Sequence, residues 1–329
     1  MTRFGMLFTA LALAGFTVAQ AIADSNFKLA LPDHRGQLRW SAEGFKIIQS
    51  SAKPNGSEIG IRGRDETGRL TILGFLFLVP EQAPLTSAKC RDGALQPEKK
   101  GNPTLKIIGT SENAKPGTSP VSVVMYTVRD ASGKTLYIVR GFVAAGDMCG
   151  DLEVYGNAPV SSEDEDVKRI YASYELDENY IPKFNDVLLY AQILYNAQMY
   201  KAAAPVFEMA LTKVGENPGP SVKTMRRVVT DQAGMSYGMS GDIAKARAIF
   251  EKASVDDPDY PMYYYNLACA DAEEKNLVGA KTNLQKAFDR KANVIPGEKM
   301  PDPTTDDSFL PYRENKEFWA FLEGLRAKP

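Results

Sequence analysis

Residues 234–258 read Gly-Met-Ser-Tyr-Gly-Met-Ser-Gly-Asp-Ile-Ala-Lys-Ala-Arg-Ala-Ile-Phe-Glu-Lys-Ala-Ser-Val-Asp-Asp-Pro. The order of small and large residues in this stretch decides the architecture of the second half of the chain. Gly234 and Tyr237 fall on one helix, Gly241-Asp242 turns the chain, Ala246, Phe250 and Ala253 fall on a second helix, and Pro258 stops it. A shift of 34 residues meets Ala268, Asp271, Lys275, Ala280, Leu284, Ala287 and Ala292. Upstream, Ala191, Leu194, Ala203, Phe207 and Ala210 repeat the series at an offset of 43, because the loop Glu216-Asn217-Pro218-Gly219-Pro220-Ser221 is longer. A fixed period of this length marks a stack of helix pairs in which each unit buries its apolar face on the next.

The series resembles the tetratricopeptide repeat. Small residues at Ala191, Gly234 and Ala268, and at Ala203, Ala246 and Ala280, let paired helices approach, with Phe207, Phe250 and Leu284 filling the space beneath. The third unit departs from the pattern with Asp271 for the usual aromatic and Lys275 for the turn glycine, and the first carries Pro205 inside its second helix, where a backbone hydrogen bond is lost. The tail, with Asp302-Pro303, Asp306-Asp307, Phe309-Leu310, Tyr312-Arg313 and Phe318-Trp319-Ala320-Phe321-Leu322, resembles the end-of-group segment that closes some of these arrays. A terminal unit needs such a cap over its open apolar face.

The resemblance implies a concave groove lined by the first helix of each unit. The matching positions are Asn185, Leu188, Gln192, Tyr195 and Asn196, then Val228, Asp231, Met235 and Met239, then Met262, Tyr265, Cys269 and Glu273. Amides hold a peptide backbone, while Met and Tyr give adaptable apolar contact. The basic residues of a carboxylate-clamp groove are missing from these positions, so capture of a C-terminal carboxylate is not implied. Lys223, Arg226 and Arg227 precede the groove.

From Phe27 to about Gly156 the periodicity is that of strands. Phe45–Ile48, Leu70–Val79, Leu105–Ile108, Val121–Val128 and Leu136–Val143 are rich in β-branched and aromatic residues, and turn signals separate them. The tight turns within 121–154 predict three consecutive antiparallel strands. A short helix over Ser87–Leu95 carries Cys90, a second helix starts at a Ser162/Glu165 capping box, and Tyr174-Glu175-Leu176 returns as a last strand. The Trp40 strand, Gly44-Phe45, the Cys90 helix, Leu136–Val143, Gly146-Asp147, Asp151-Leu152-Glu153-Val154 and the acidic helix start together resemble the PsbP-like α-β-α sandwich over residues 27–176. The last long strand lacks a histidine, so no metal role is carried over from that resemblance. The expected fold class is therefore α+β, with a PsbP-like domain over 24–176, a linker over 177–184 and a helical array of about three units over 185–329 ending in a capping helix.

Residues 1–23 predict export. Arg3 precedes the uncharged apolar run Met6–Val18, and the small-x-small sites Ala19-Gln20-Ala21 and Ala21-Ile22-Ala23 follow, with cleavage expected after Ala23. The run is shorter than the ~20 residues of a membrane span. A periplasmic or secreted location permits a disulfide, expected between Cys90 and Cys149, with Cys269 left as a buried core residue.

The formal charge of −2 on 329 residues offers no electrostatic footprint for nucleic acid or anionic lipid. His34 is the only histidine and lies in a turn-like stretch. There is no nucleophile elbow, phosphate-binding loop, dinucleotide fingerprint or zinc-ligand spacing. No catalytic, cofactor or metal residue is assigned. The sequence predicts a non-catalytic exported adaptor that binds a protein or peptide segment in the cell envelope, with association of copies left open. The alternative gives the sheet domain a small ligand or a reaction and leaves the helices a supporting or dimerising role.

Overall fold

The structure, a computed structural model, describes residues 26–80, 84–113, 120–156, 158–216 and 221–327. Residues 1–23, where an export signal is expected, and residues 217–220 of the long inter-repeat loop lie outside the described residues. The fold is α+β, and the chain divides into a sheet unit that ends at Ala197 and a helical unit that begins at Gln198.

The sheet unit contains β1 (Asn26–Ala30), β2 (Gln37–Ser41), β3 (Phe45–Ala52), β4 (Glu58–Asp65), β5 (Leu70–Leu78), α1 (Ser87–Gly101), β6 (Lys106–Asn113), β7 (Val121–Arg129), β8 (Thr135–Ala145), β9 (Met148–Gly156), α2 (Glu165–Ser173), β10 (Glu175–Asp177) and α3 (Phe184–Asn196). Seven strands pair antiparallel in the order β3-β4-β5-β9-β8-β7-β6, and β1-β2-β10 form a small second sheet. On one face of the large sheet, α1 covers Val124, Tyr126, Ile138 and Phe142. The other face carries glycines where large side chains press in. A Cβ at Gly74 would stand 2.3 Å from Trp40, one at Gly141 2.4 Å from Tyr171, and one at Gly150 2.4 Å from Leu38. The small sheet and α2 thus form the second outer layer of a sandwich.

A disulfide and side-chain hydrogen bonds hold α1 in place. Cys90 and Cys149 are joined by a disulfide, with Cα atoms 5.9 Å apart and both residues buried. Two turns further along, Glu98 accepts from Arg140 of β8 and from the Tyr126 hydroxyl. The helix is longer than its expected Ser87–Leu95 and runs through Pro97 to Gly101.

Two other points of the sequence reading are corrected. Strand β4 was hidden by Gly60 and Gly63, which lie under the side chains of Phe75 and Ile72 on the neighbouring strand. The capping box does not form. Asp164 is the N-cap of α2, and its carboxylate accepts from the Ser161 amide at 2.9 Å instead of from the helix. The first helix of the expected array, α3, falls in the sheet unit and packs on β3, where the Tyr190 hydroxyl bonds to the carbonyls of Lys53 and Glu58 at 2.6 and 2.9 Å.

The helical unit contains α4 (Tyr200–Lys213), α5 (Val222–Met239), α6 (Ile243–Asp256), α7 (Pro261–Glu273), α8 (Leu277–Phe288) and α9 (Lys316–Arg326), each of α4 to α8 packing on the next. The repeat is visible in the backbone. Gln198, Gly241 and Lys275 have φ of 59°, 88° and 64°, so the chain makes a left-handed turn at the same place each time, whatever the residue. A Cβ at Gly234 would stand 2.3 Å from the Phe250 ring, which shows how closely α5 and α6 approach. Asp271, buried at a position 34 residues after Tyr237, accepts from Arg247 at 2.9 Å, Asn276 at 3.1 Å and Asn283 at 2.7 Å. That replacement is matched by partners instead of leaving a buried charge unpaired. The cap is α9, whose Phe318 and Leu322 pack with Ala280, Leu284 and Ala287.

The disulfide closes 59 residues of chain. In the chain-entropy account a loop of this size contributes about 4 kcal/mol. Reduction, or the Cys90→Ala/Cys149→Ala pair, should destabilise the sheet unit by that amount, measured by urea denaturation with and without dithiothreitol.

Candidate functional site

Helix α7 is buried on every side from Pro261 to Ala272. Its neighbours α5, α6 and α8 cover part of that surface, and the chain's own residues 293–312 cover the rest. The Tyr260 hydroxyl donates to Glu298 at 2.7 Å, the Tyr265 hydroxyl to Asp306 at 3.0 Å, and the Tyr312 hydroxyl to the Ala272 carbonyl at 2.5 Å. Phe309 meets Tyr265 edge-on, with ring centroids 6.0 Å apart, and Ile295 and Met300 pack against the cluster that contains Tyr260 and Met262. On the α5 side, Arg227 binds both oxygens of Asp257 at 2.6 and 3.1 Å and donates to the Asn293 carbonyl at 3.3 Å. Prolines 296, 301 and 303 keep much of this stretch out of regular structure.

This path redistributes the expected groove residues. Asp231, Met262 and Tyr265 are core residues, as are Val228 and Cys269. Met235, Met239 and Glu273 are half-buried. In the sheet unit, Asn185 and Asn196 on α3 are exposed, Gln192 and Tyr195 are half-buried, and Leu188 is buried. The sequence identified Tyr265 of α7 but assigned it to an outside partner. Asp302 and Asp306 were read only as part of the closing tail, and Glu298 was not singled out.

The covered face holds several carboxylic acids. Asp231 accepts from the Asn266 amide at 2.5 Å, and burial, reinforced by the charge of Glu298, pushes its carboxyl up to about 7. Burial also raises Glu298 and Asp306, and raises Glu273, to which the charge of Asp306 adds. The Cys269 thiol is pushed well above its ordinary value by burial and by Asp306. It is therefore held as an uncharged thiol, a poor nucleophile.

A second polar cluster lies between α1 and the large sheet. Arg140 donates from Nε and Nη2 to the two oxygens of Asp151 at 2.9 and 2.7 Å, and from Nη1 to Glu98 and the Tyr126 hydroxyl. Burial lifts Glu153, 3.8 Å from Arg140, to about 7. Each end of the guanidinium fork is taken by protein, so the cluster fastens α1 to the sheet. His34 is half-exposed in a turn beside Asp33, at 3.1 Å. Among the described residues no group of three or more His, Cys, Asp or Glu is placed to hold a metal ion, and no helix is long and apolar enough to cross a membrane.

The chain matches no protein-family model and no curated protein sequence. Among solved structures it is similar to PcrH from Pseudomonas aeruginosa, at 14% identity and a TM-score of 0.31, over 44% of this chain and 92% of that one. It is also similar to the Sgt2 TPR domain from Aspergillus fumigatus, at 20% identity and 0.31, over 45% and 86%. A protein from Bacteroides thetaiotaomicron is similar at 10% identity and 0.31, over 70% and 78%. At such scores the repeat character of the helical unit stands on its own turns and packing, and the PsbP-like resemblance stands on sequence order alone.

Asp231 gives the covered face a pH signature. Its carboxyl is raised in the folded chain from an ordinary 3.8 to about 7. Between those values the unfolded chain releases a proton that the folded chain keeps, so stability from this group falls as pH rises from about 4 to about 7 and is level above. Asp231→Asn should flatten that part of the wild-type profile and stabilise the helical unit at pH 7.5 by about 1–3 kcal/mol, the cost of a poorly satisfied buried group. Urea melts of both proteins from pH 5 to 8 measure the difference.

Proposed function

We propose that this is an exported, non-catalytic binding protein whose helical unit holds an extended segment of a partner protein on the face formed by α5 and α7. One observation carries this reading. The face already holds a stretch of polypeptide, its own residues 293–312, which runs over it in turns and short 3-10 segments and is held through tyrosine hydroxyls, an arginine and apolar side chains. The chemistry that accepts the chain's own segment suits a foreign one.

The partner's share is the part left open by that segment, edged by the half-buried Met235, Met239 and Glu273. Methionine side chains adapt their shape to different apolar groups, which suits a surface that receives a segment from outside. In the sheet unit, the exposed Asn185 and Asn196 of α3 offer amides suited to a peptide backbone. The disulfide fits an oxidising compartment such as the periplasm, in keeping with the signal-like residues 1–23. No cofactor enters this reading.

The test places a photo-crosslinking residue at Met239 and, as a control, at Val255, which lies on α6 and is 79% exposed. In cells exporting the protein, Met239 should give a discrete adduct, mapped by mass spectrometry to an extended stretch of one partner, and Val255 should not. Adducts of equal yield at both positions, or none at Met239, would remove the binding face from α5 and α7.

A further inference from the structure

The turn between β3 and β4 carries a chemically reactive pair. It reads Lys53-Pro54-Asn55-Gly56-Ser57-Glu58, with Asn55 exposed and Gly56 at a φ of 79°. Asn55-Gly56 is the only such dipeptide in the chain. A glycine after asparagine offers its backbone nitrogen to the asparagine side-chain carbonyl with the least obstruction, because it has no Cβ.

The local contacts prepare that carbonyl for attack. Asn55 Oδ1 accepts from the Ser57 hydroxyl at 2.7 Å and from the Ser57 amide at 3.3 Å. Both donors sit where negative charge grows as a nucleophile adds to Asn55 Cγ, and donors so placed lower the barrier to acyl transfer. The turn itself is the restraint. The Gly56 amide donates to the Lys53 carbonyl at 3.1 Å, and the Lys53 amide closes the hairpin on the Glu58 carbonyl at 2.9 Å. The Tyr190 hydroxyl of α3 clasps both of those carbonyls. The Gly56 nitrogen must therefore move within a turn that α3 holds.

We propose that Asn55 is a self-modification site, an amide that converts to aspartate and isoaspartate at a rate set by the Tyr190 clasp. The Gly56 nitrogen bonds to Asn55 Cγ, the Cγ–Nδ2 bond breaks, and the side-chain amide leaves as ammonia with the proton that Gly56 gives up. Water then opens the cyclic imide. Cleavage at Cγ gives aspartate, and cleavage at the backbone carbonyl gives isoaspartate. Either product sets a new carboxylate near that of Asp33, which lies 3.7 Å from where a Cβ on Gly56 would be. Like charges brought this close repel, and isoaspartate also lengthens the turn by a backbone carbon. Modification thus loosens α3 from the hairpin.

The mature protein is incubated at mildly alkaline pH and digested at intervals, and mass spectrometry follows the peptide that contains Asn55. The folded wild type should accumulate both products. Tyr190→Phe, checked by circular dichroism to stay folded, should convert about fivefold faster, the rate equivalent of one lost hydrogen bond. Ser57→Ala, which removes the hydroxyl donor, should convert more slowly than wild type. The coupling is reciprocal, so Asn55→Asp should speed hydrogen exchange of the α3 amides, a readout that holds even where Tyr190→Phe is too unstable to use. The proposal is overturned by an Asn55 amide that stays intact in the folded chain while the same chain in urea converts. A Tyr190→Phe rate equal to that of wild type, a Ser57→Ala rate no slower, or α3 exchange unchanged in Asn55→Asp would overturn it too.

Discussion

Helix α7 is buried from Pro261 to Ala272, with Glu273 at its end half-buried. A helix buried all round is stable only where something covers all of it, and in Pro261-Met262-Tyr263-Tyr264-Tyr265-Asn266-Leu267-Ala268-Cys269-Ala270 every residue is buried. Neighbouring helices cover part of that circumference, and residues 293–312 supply the rest. The remainder of the helical unit follows from this requirement. The tyrosine hydroxyls need acceptors once buried, and Glu298, Asp306 and the Pro258 carbonyl provide them. The final helix then closes α8, with Phe318 and Leu322 following the turn at Tyr312.

The same requirement sets the electrostatics. Carboxylates that accept from buried tyrosines lose water, so Asp306 and Glu298 titrate above their usual range, and the fully buried Asp231 is raised with them. The positive charges of this region are engaged elsewhere, with Arg227 on Asp257 and Arg247 on Asp271 and Glu274. The result is a face that is apolar in its depth and carries carboxylates at its edge.

Much of this architecture was legible in the sequence. The Ala, Phe and Ala series of α6 and the 34-residue shift located the helix pairs because close helix approach tolerates only small residues at fixed positions. The turn at Lys275 kept its left-handed backbone although the glycine was lost, so the periodicity outlasted its most visible marker. Strand β4 was hidden for the opposite reason: Gly60 and Gly63 weaken a strand pattern, and only the overlying Phe75 and Ile72 explain them. The path of 293–312 was not legible. Its apolar residues, Ile295, Met300 and Phe309, have neither helical nor strand spacing, and what they cover is set by tertiary structure. The candidate site inherited that blind spot, so Tyr265 and Met262 read as groove when they are core.

The most direct measurement is native-state hydrogen exchange on the full mature chain. If residues 293–312 complete the cover of α7, the amides of 265–272 should be the slowest to exchange in the helical unit, slower than those of α4 and α8. Asp306→Ala, which removes the acceptor of the Tyr265 hydroxyl, should speed exchange in α7 well before it affects α4. Amides of α7 that exchange as fast as those of α8, with no response to Asp306→Ala, would contradict the account.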